Sequence, residues 1–226
     1  MTDFFEFLAN DYISVSPCPV TVRPFSVAAW YYPSSLNSSQ HRLVTLEPSG
    51  GDAAYHYNLM LETDTQPMWR ARYQSGNDTA DTATNINGGQ WNHIVGVEVA
   101  FNERYAYLNG GNRGDNLTNS GDINLDVMTI GNRLSGIDID YANGVVAHVA
   151  VWNSQLSDAD VALLATGVSP TLVQPGSLVF YRPLEGNLAG GVGSFSLANN
   201  GAGLVALDSP VKSNVRRSMA SVTMGV

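Results

Sequence analysis

The sequence predicts an all-β fold, a two-layer antiparallel sandwich in a single domain, and three observations carry that reading. Short runs rich in Val, Ile, Tyr, Phe and Trp recur along the chain. Turn-forming clusters separate them, among them Pro48-Ser49-Gly50-Gly51-Asp52, Ser75-Gly76-Asn77-Asp78, Asn87-Gly88-Gly89 and Asn109-Gly110-Gly111-Asn112. Only one segment reads as a helix. A length of 226 residues suits one β sandwich. A chain of this size buries roughly 70–75% of its unfolded surface, so it needs no covalent staple. The lone Cys18 could not supply an internal one. No repeat recurs at the roughly 20–50-residue periods of solenoids and propellers.

In order, strands are expected at about 3–8, 11–16, 25–32, 42–47, 55–62, 67–74, 91–100, 104–109, 126–131, 144–152, 178–183 and 193–198. The helix is expected from Asp158 to about Thr166, covering one end of the sandwich. Ser157 is placed to cap it, Asp158 and Asp160 oppose the positive end of its dipole, Gly167 follows its last turn and Pro170 prevents re-entry. The Gly-rich stretch up to Leu207 is expected to lay the last strands beside the first.

Several segments are informative as a set: Phe25-Ser26-Val27-Ala28-Ala29-Trp30, Trp91-Asn92-His93-Ile94-Val95, Tyr105-Ala106-Tyr107-Leu108-Asn109-Gly110, Ile130-Gly131, and Gly144 through Asn153, followed by the short helix. In this order and spacing the chain, over about residues 3 to 208, resembles the laminin-G-like, concanavalin A-like jelly roll. The resemblance implies a fold that usually binds and only in a minority of members catalyses. Where many members carry an Asp-Glu pair this chain has Ala147-His148, so a calcium site built on those carboxylates is not expected. The segment Leu178 to Asn187 is similar to one frequent in phage structural proteins.

Twenty acids against eleven bases give a net charge of −9. That opposes nucleic-acid binding, which rests on Lys and Arg displacing counterions. No run approaches the roughly 18 apolar residues of a membrane span, and the acidic amino terminus lacks the pattern of a signal peptide. With no disulfide either, maturation in a reducing cytosol is expected. The acids all precede residue 209. The last 18 residues carry only Lys212, Arg216 and Arg217 as charges. They form a basic, aperiodic tail (209–226), distinct from the domain at 1–208 and expected to gain order by docking on another chain.

Candidate site residues follow from alternation. Trp69, Ala71 and Tyr73 share one strand face, read as core, which leaves Arg70 and Arg72 exposed as candidate carbohydrate contacts. His93 and His148 lie in apolar strands and read as core histidines; His41 and His56 have no ligand partner at zinc-like spacing. Asp138-Ile139-Asp140 with Asn143, or Asn10-Asp11, offer oxygens for calcium, but no cofactor is expected. Glu62-Thr63-Asp64-Thr65-Gln66 lacks the second acid that a glycosidase pair requires, so no enzyme is expected. Arg113-Gly114-Asp115 matches an integrin tripeptide but is explained by a Gly-rich hairpin.

The leading functional expectation is a virion structural protein, a phage capsid decoration or tail-associated protein assembled in the host cytoplasm. It would oligomerise with its own copies and dock on capsid through Val211, Lys212, Val215, Arg216, Arg217, Met219, Val222 and Met224. The alternative is a carbohydrate-binding lectin that recognises surface glycans; a glycosidase is third.

Overall fold

Alternation of apolar and polar side chains along the chain builds two facing sheets. A computed structural model describes residues 1–36, 40–63, 65–134 and 141–212. In chain order the strands are β1 (Thr2–Phe7), β2 (Tyr12–Ser16), β3 (Phe25–Pro33), β4 (His41–Glu47), β5 (Tyr55–Leu61), β6 (Pro67–Tyr73), β7 (Gly76–Asp81) and β8 (Asn92–Ala100). There follow β9 (Glu103–Leu108), β10 (Gly111–Asn116), β11 (Val127–Ile130), β12 (Gly144–Trp152), helix α1 (Asp158–Ala165), β13 (Leu178–Arg182), β14 (Ser196–Asn200) and β15 (Gly203–Leu207). One sheet has the order β10-β9-β8-β3-β12-β1-β15, with β13 also on β12; the other runs β14-β2-β11-β4-β5-β6-β7. All the pairings are antiparallel, giving the jelly-roll sandwich expected.

The main core lies between the sheets, where Phe7, Ile13, Val27, Tyr31, Leu46, Leu59, Trp69, Val146 and Phe180 are sealed from solvent. Gly96 of β8 lies under the Trp69 ring, and a Cβ there would collide with the indole. A second apolar layer sits on the outer face of the eight-stranded sheet, where Ala28, Val95, Val97 and Trp152 meet Val161 and Leu164 of α1. The helix therefore covers a sheet face rather than one end of the sandwich, because that face is apolar and has to be shielded. Its start follows expectation: Ser157 accepts from Asp160 N, and the Asp160 carboxylate accepts from Ser157 N, a reciprocal cap.

Two strands were legible only as turns. β7 and β10 are edge strands of opposite sheets that abut each other, with Asn116 Nδ2 donating to Thr79 O at 2.9 Å and Gly114 packed directly on the Asp81 backbone. Edge strands need no buried face, so they show no apolar alternation. On the other side β14 and β15 form a hairpin that pairs β2 in one sheet and β1 in the other, as the first-to-last pairing predicts. β12 changes partner midway, pairing with β1 at Val145 and with β13 from Val149, and His148 sits at the irregularity with φ of 50°.

Candidate functional site

The connection from β2 to β3 carries Pro17, Pro19 and Pro24, which lack the amide donor needed to extend a ladder. It therefore leaves the sheet and brings Thr21, Val22 and Arg23 across one end of the sandwich. The β8–β9 turn at Phe101 and the segment Asp122 to Leu125 face it, and together they enclose a cleft of about 500 Å³. Its volume is within the range of small-ligand pockets, roughly 300–1,000 Å³.

The floor is aromatic. Phe25 meets Tyr57 edge to face at 5.2 Å, and Tyr57 stacks on Trp69 at 5.8 Å with 6° between planes. At the rim, Val22 is 74% and Phe101 52% exposed, two apolar side chains that solvent reaches beside an apolar cavity.

The polar wall is built on Glu98, a wholly buried acid in the otherwise apolar run Val95 to Val99. It accepts from Arg23 Nε at 3.0 Å, Arg104 Nε at 3.2 Å and Trp69 Nε1 at 2.9 Å. A buried carboxylate survives only with such partners. Arg23 is fixed further by Asp122 and the Tyr57 hydroxyl, and by Gly121 O at 3.1 Å. Burial acts to lower the Arg23 pKa, but the Tyr57 phenol, Glu98 and Asp122 outweigh it and the net shift is upward. Asp122 itself points outward, its side chain 94% exposed.

The outer face of the seven-stranded sheet is a second arginine cluster. Arg42, Arg70 and Arg133 are buried there with His56, Asn58, Thr45 and Glu47. Arg70 is 7% exposed and pairs with Glu62 at 3.2 Å; only Arg72 is part-exposed. The expectation of an exposed Arg70–Arg72 pair is thus corrected: on this sheet the face opposite the core is itself covered. The Asn58 amide orientation that satisfies its neighbours accepts from Arg42 Nη1 at 2.7 Å and His56 Nε2 at 2.9 Å. Burial, and then the four surrounding guanidiniums, push the His56 pKa down to about 2.

A third polar group surrounds His148, whose Nδ1 lies 2.9 Å from the Tyr181 hydroxyl and whose Nε2 lies 3.2 Å from Ser209 Oγ and 3.4 Å from Glu185. Burial lowers its pKa to about 4. Val211 and Lys212 line this pocket, and Lys212 N donates to Gly167 O at 2.9 Å, so the first of the expected tail contacts are made with the chain's own domain. Val215, Arg216, Arg217, Met219, Val222 and Met224 lie outside the described residues, as do Asp64, Asp138 and Asp140. Trp69 is core, as expected. The Arg113-Gly114-Asp115 tripeptide is strand rather than displayed loop, with Arg113 paired to Asp115 at 2.6 Å and lying over the Tyr105 ring.

A family model described as the concanavalin A-like lectin/glucanases superfamily matches residues 7–162. The chain belongs to this superfamily. Among solved structures, the superfamily fold is shared with a heptameric SAP-like pentraxin from Limulus polyphemus at a TM-score of 0.60 and 15% identity, over 90% of this chain and 94% of that one. A Bacteroides ovatus protein described as carbohydrate binding aligns at 0.64 and 18% identity, over 94% of this chain and 62% of that one. The carbohydrate-binding module CBM40 of the Ruminococcus gnavus IT-sialidase, bound to α2,3 sialyllactose, aligns at 0.54 and 15% identity, over 71% of this chain and 96% of that one. At such identities these neighbours show the fold alone. No curated protein matches the chain.

Of the cleft residues, Arg23, Phe101 and Asp122 were not singled out by the sequence. The available signal was Glu98: an acid on the core-facing side of β8, in register with Ile94 and Gly96, requires buried cations from somewhere else in the chain.

Proposed function

We propose that this protein is a non-catalytic carbohydrate-binding module whose ligand occupies the cleft between Val22, Arg23, Phe101 and Asp122. One observation carries the reading: exposed apolar side chains stand over an open cavity that also presents a fixed guanidinium and an outward carboxylate. A sugar ring has the complementary chemistry, an apolar C–H face for Phe101 and hydroxyls for the charged pair. The fold shared with carbohydrate-binding proteins supports this reading. The virion reading rested on the acidic amino terminus without a signal pattern, the absence of a disulfide, the basic tail and the Leu178–Asn187 segment, and none of the three structures above is a phage protein.

The test is a glycan array probed with the full chain, with and without calcium, alongside Phe101→Ala. Binding by the wild type that falls at least tenfold in Phe101→Ala is the expected result. Equal binding by both proteins removes the cleft from the reading, and silence toward every glycan overturns the reading itself.

A further inference from the structure

We infer that the cleft selects uncharged sugars and excludes acidic ones, with Asp122 as the selecting group. This inference rests on the carbohydrate reading above and names the ligand class of that same site.

The four charges at the cleft end are Arg23, Arg104, Glu98 and Asp122, which balance in sign but differ in position. Glu98 and Arg104 are wholly buried, and the Arg23 side chain is only 14% exposed. Arg104 has no spare capacity: besides Glu98 it donates to Asn116 Oδ1 at 2.7 Å, Thr118 O at 3.1 Å, Phe101 O at 2.9 Å and Ser120 Oγ at 2.8 Å. Of the four, the one that stands out into solvent is the Asp122 carboxylate, paired with Arg23 through one oxygen only. A ligand entering the cleft meets negative charge first.

The unused hydrogen-bonding capacity is equally specific. Arg23 commits Nε to Glu98, one Nη1 hydrogen to Asp122, and Nη2 to Tyr57, Gly121 and, at 3.3 Å, Ser120 Oγ. A guanidinium has five donors, so one Nη1 hydrogen remains. Asp122 uses Oδ1 for Arg23, and Oδ2 has no hydrogen bond among the described residues. One donor and one acceptor therefore sit side by side at the cleft mouth. Two neighbouring hydroxyls fit them: one donates to Asp122 Oδ2 and the next accepts from Arg23 Nη1. The carbon face of the same ring lies toward Phe101 and Val22. A carboxylated sugar brings an anion against Asp122, and the one cation within reach is already shared by Glu98 and Asp122. The net charge of −9 adds a longer-range repulsion.

The experiment uses matched pairs of immobilised oligosaccharides. Neutral chains ending in glucose, galactose, mannose or arabinose are each compared with the same chain capped by a uronic or sialic acid, at physiological salt. The wild type is expected to hold at least one neutral chain and to bind its acid-capped counterpart at least tenfold more weakly. Asp122→Asn keeps an acceptor oxygen and removes the charge. It should narrow that ratio at least fivefold, and the ratio is the readout because neutral binding itself weakens when an amide nitrogen replaces one of the two carboxylate oxygens. Asp122→Ala should lose neutral binding about tenfold, and because the side chain is exposed, both variants should melt like the wild type. A wild-type preference for acid-capped chains, or an unchanged ratio in Asp122→Asn, overturns the inference and leaves the carbohydrate reading standing. Silence toward every chain overturns both.

Discussion

The end cleft and the outer face of the seven-stranded sheet are both polar clusters assembled around arginine, and they differ in what faces outward. On the sheet face Arg42, Arg70 and Arg133 are buried together with His56 and Asn58, and Arg70 is occupied by Glu62. In the cleft the buried charges Glu98 and Arg104 hold Arg23 from behind, while Asp122, Phe101 and Val22 remain exposed. Arginine content alone does not make a recognition surface. An arginine whose partners lie below it leaves a vacant edge for a ligand; one enclosed on all sides is structural.

The sharpest break of this comparison is Glu98→Ala. It strands two guanidiniums and the Trp69 N–H in the interior, and losing one member of a buried ionic network costs about 3–5 kcal/mol. Urea denaturation should show a large fall in midpoint, with the cleft lost as a unit. A midpoint close to wild type would mean that Arg23 and Arg104 find solvent, and that the cleft floor is not built as described.

Acid should act on the sheet face next. The folded His56 pKa, about 2, lies below its ordinary value of 6.5, so the unfolded chain takes up a proton that the folded one refuses. Stability is fully present above about pH 6.5 and falls as pH drops toward about 2, by about 1.4 kcal/mol per pH unit for one proton. His93, lowered by burial to about 3, and His148, to about 4, act in the same direction. Denaturation at pH 7, 6 and 5 should show this slope, and His56→Gln should remove about one proton from it. A slope that does not change in His56→Gln would mean the imidazole is not held neutral by burial and its arginine neighbours.

How far these two regions could be read beforehand follows from their physics. The core strands were legible because β3, β5, β6, β8 and β12 must bury one face or both. Helix α1 was legible because its cap and its terminator are local. The strands β7 and β10 were not, since an edge strand paired on one side carries turn-like residues without penalty. The cleft was hidden for another reason: Arg23 and Asp122 are far in the chain from Glu98 and Phe101, and only the fold brings them together. Arg70 and Arg72 stood out because they are two residues apart on one strand, and that spacing says which face the side chains share but not whether that face is open.

A smaller effect separates the two regions on function. Arg70→Ala removes the Glu62 pair and a buried guanidinium, costing about 1–2 kcal/mol, yet it should leave glycan binding as it was. Calorimetric titration at a temperature where the variant is fully folded is the check. A tenfold loss of affinity there would return the site to the sheet face.

The smallest effect is the finest probe of the cleft. Val22 is 74% exposed, so Val22→Ala removes almost no buried contact from the unliganded protein, and its stability should change by no more than about 0.5 kcal/mol. If a ring settles against the rim, the lost methyl groups were to be buried on binding, and affinity should drop roughly three- to tenfold, about 0.7–1.4 kcal/mol. Arg72→Ala is the matched control on the other face, with both stability and affinity expected to stay near wild type. Equal affinity in the two variants would place the ligand deeper than the rim, against Phe25 and Tyr57, and would limit contact with Val22. A loss in Arg72→Ala alone would reverse the roles assigned to the two arginine clusters.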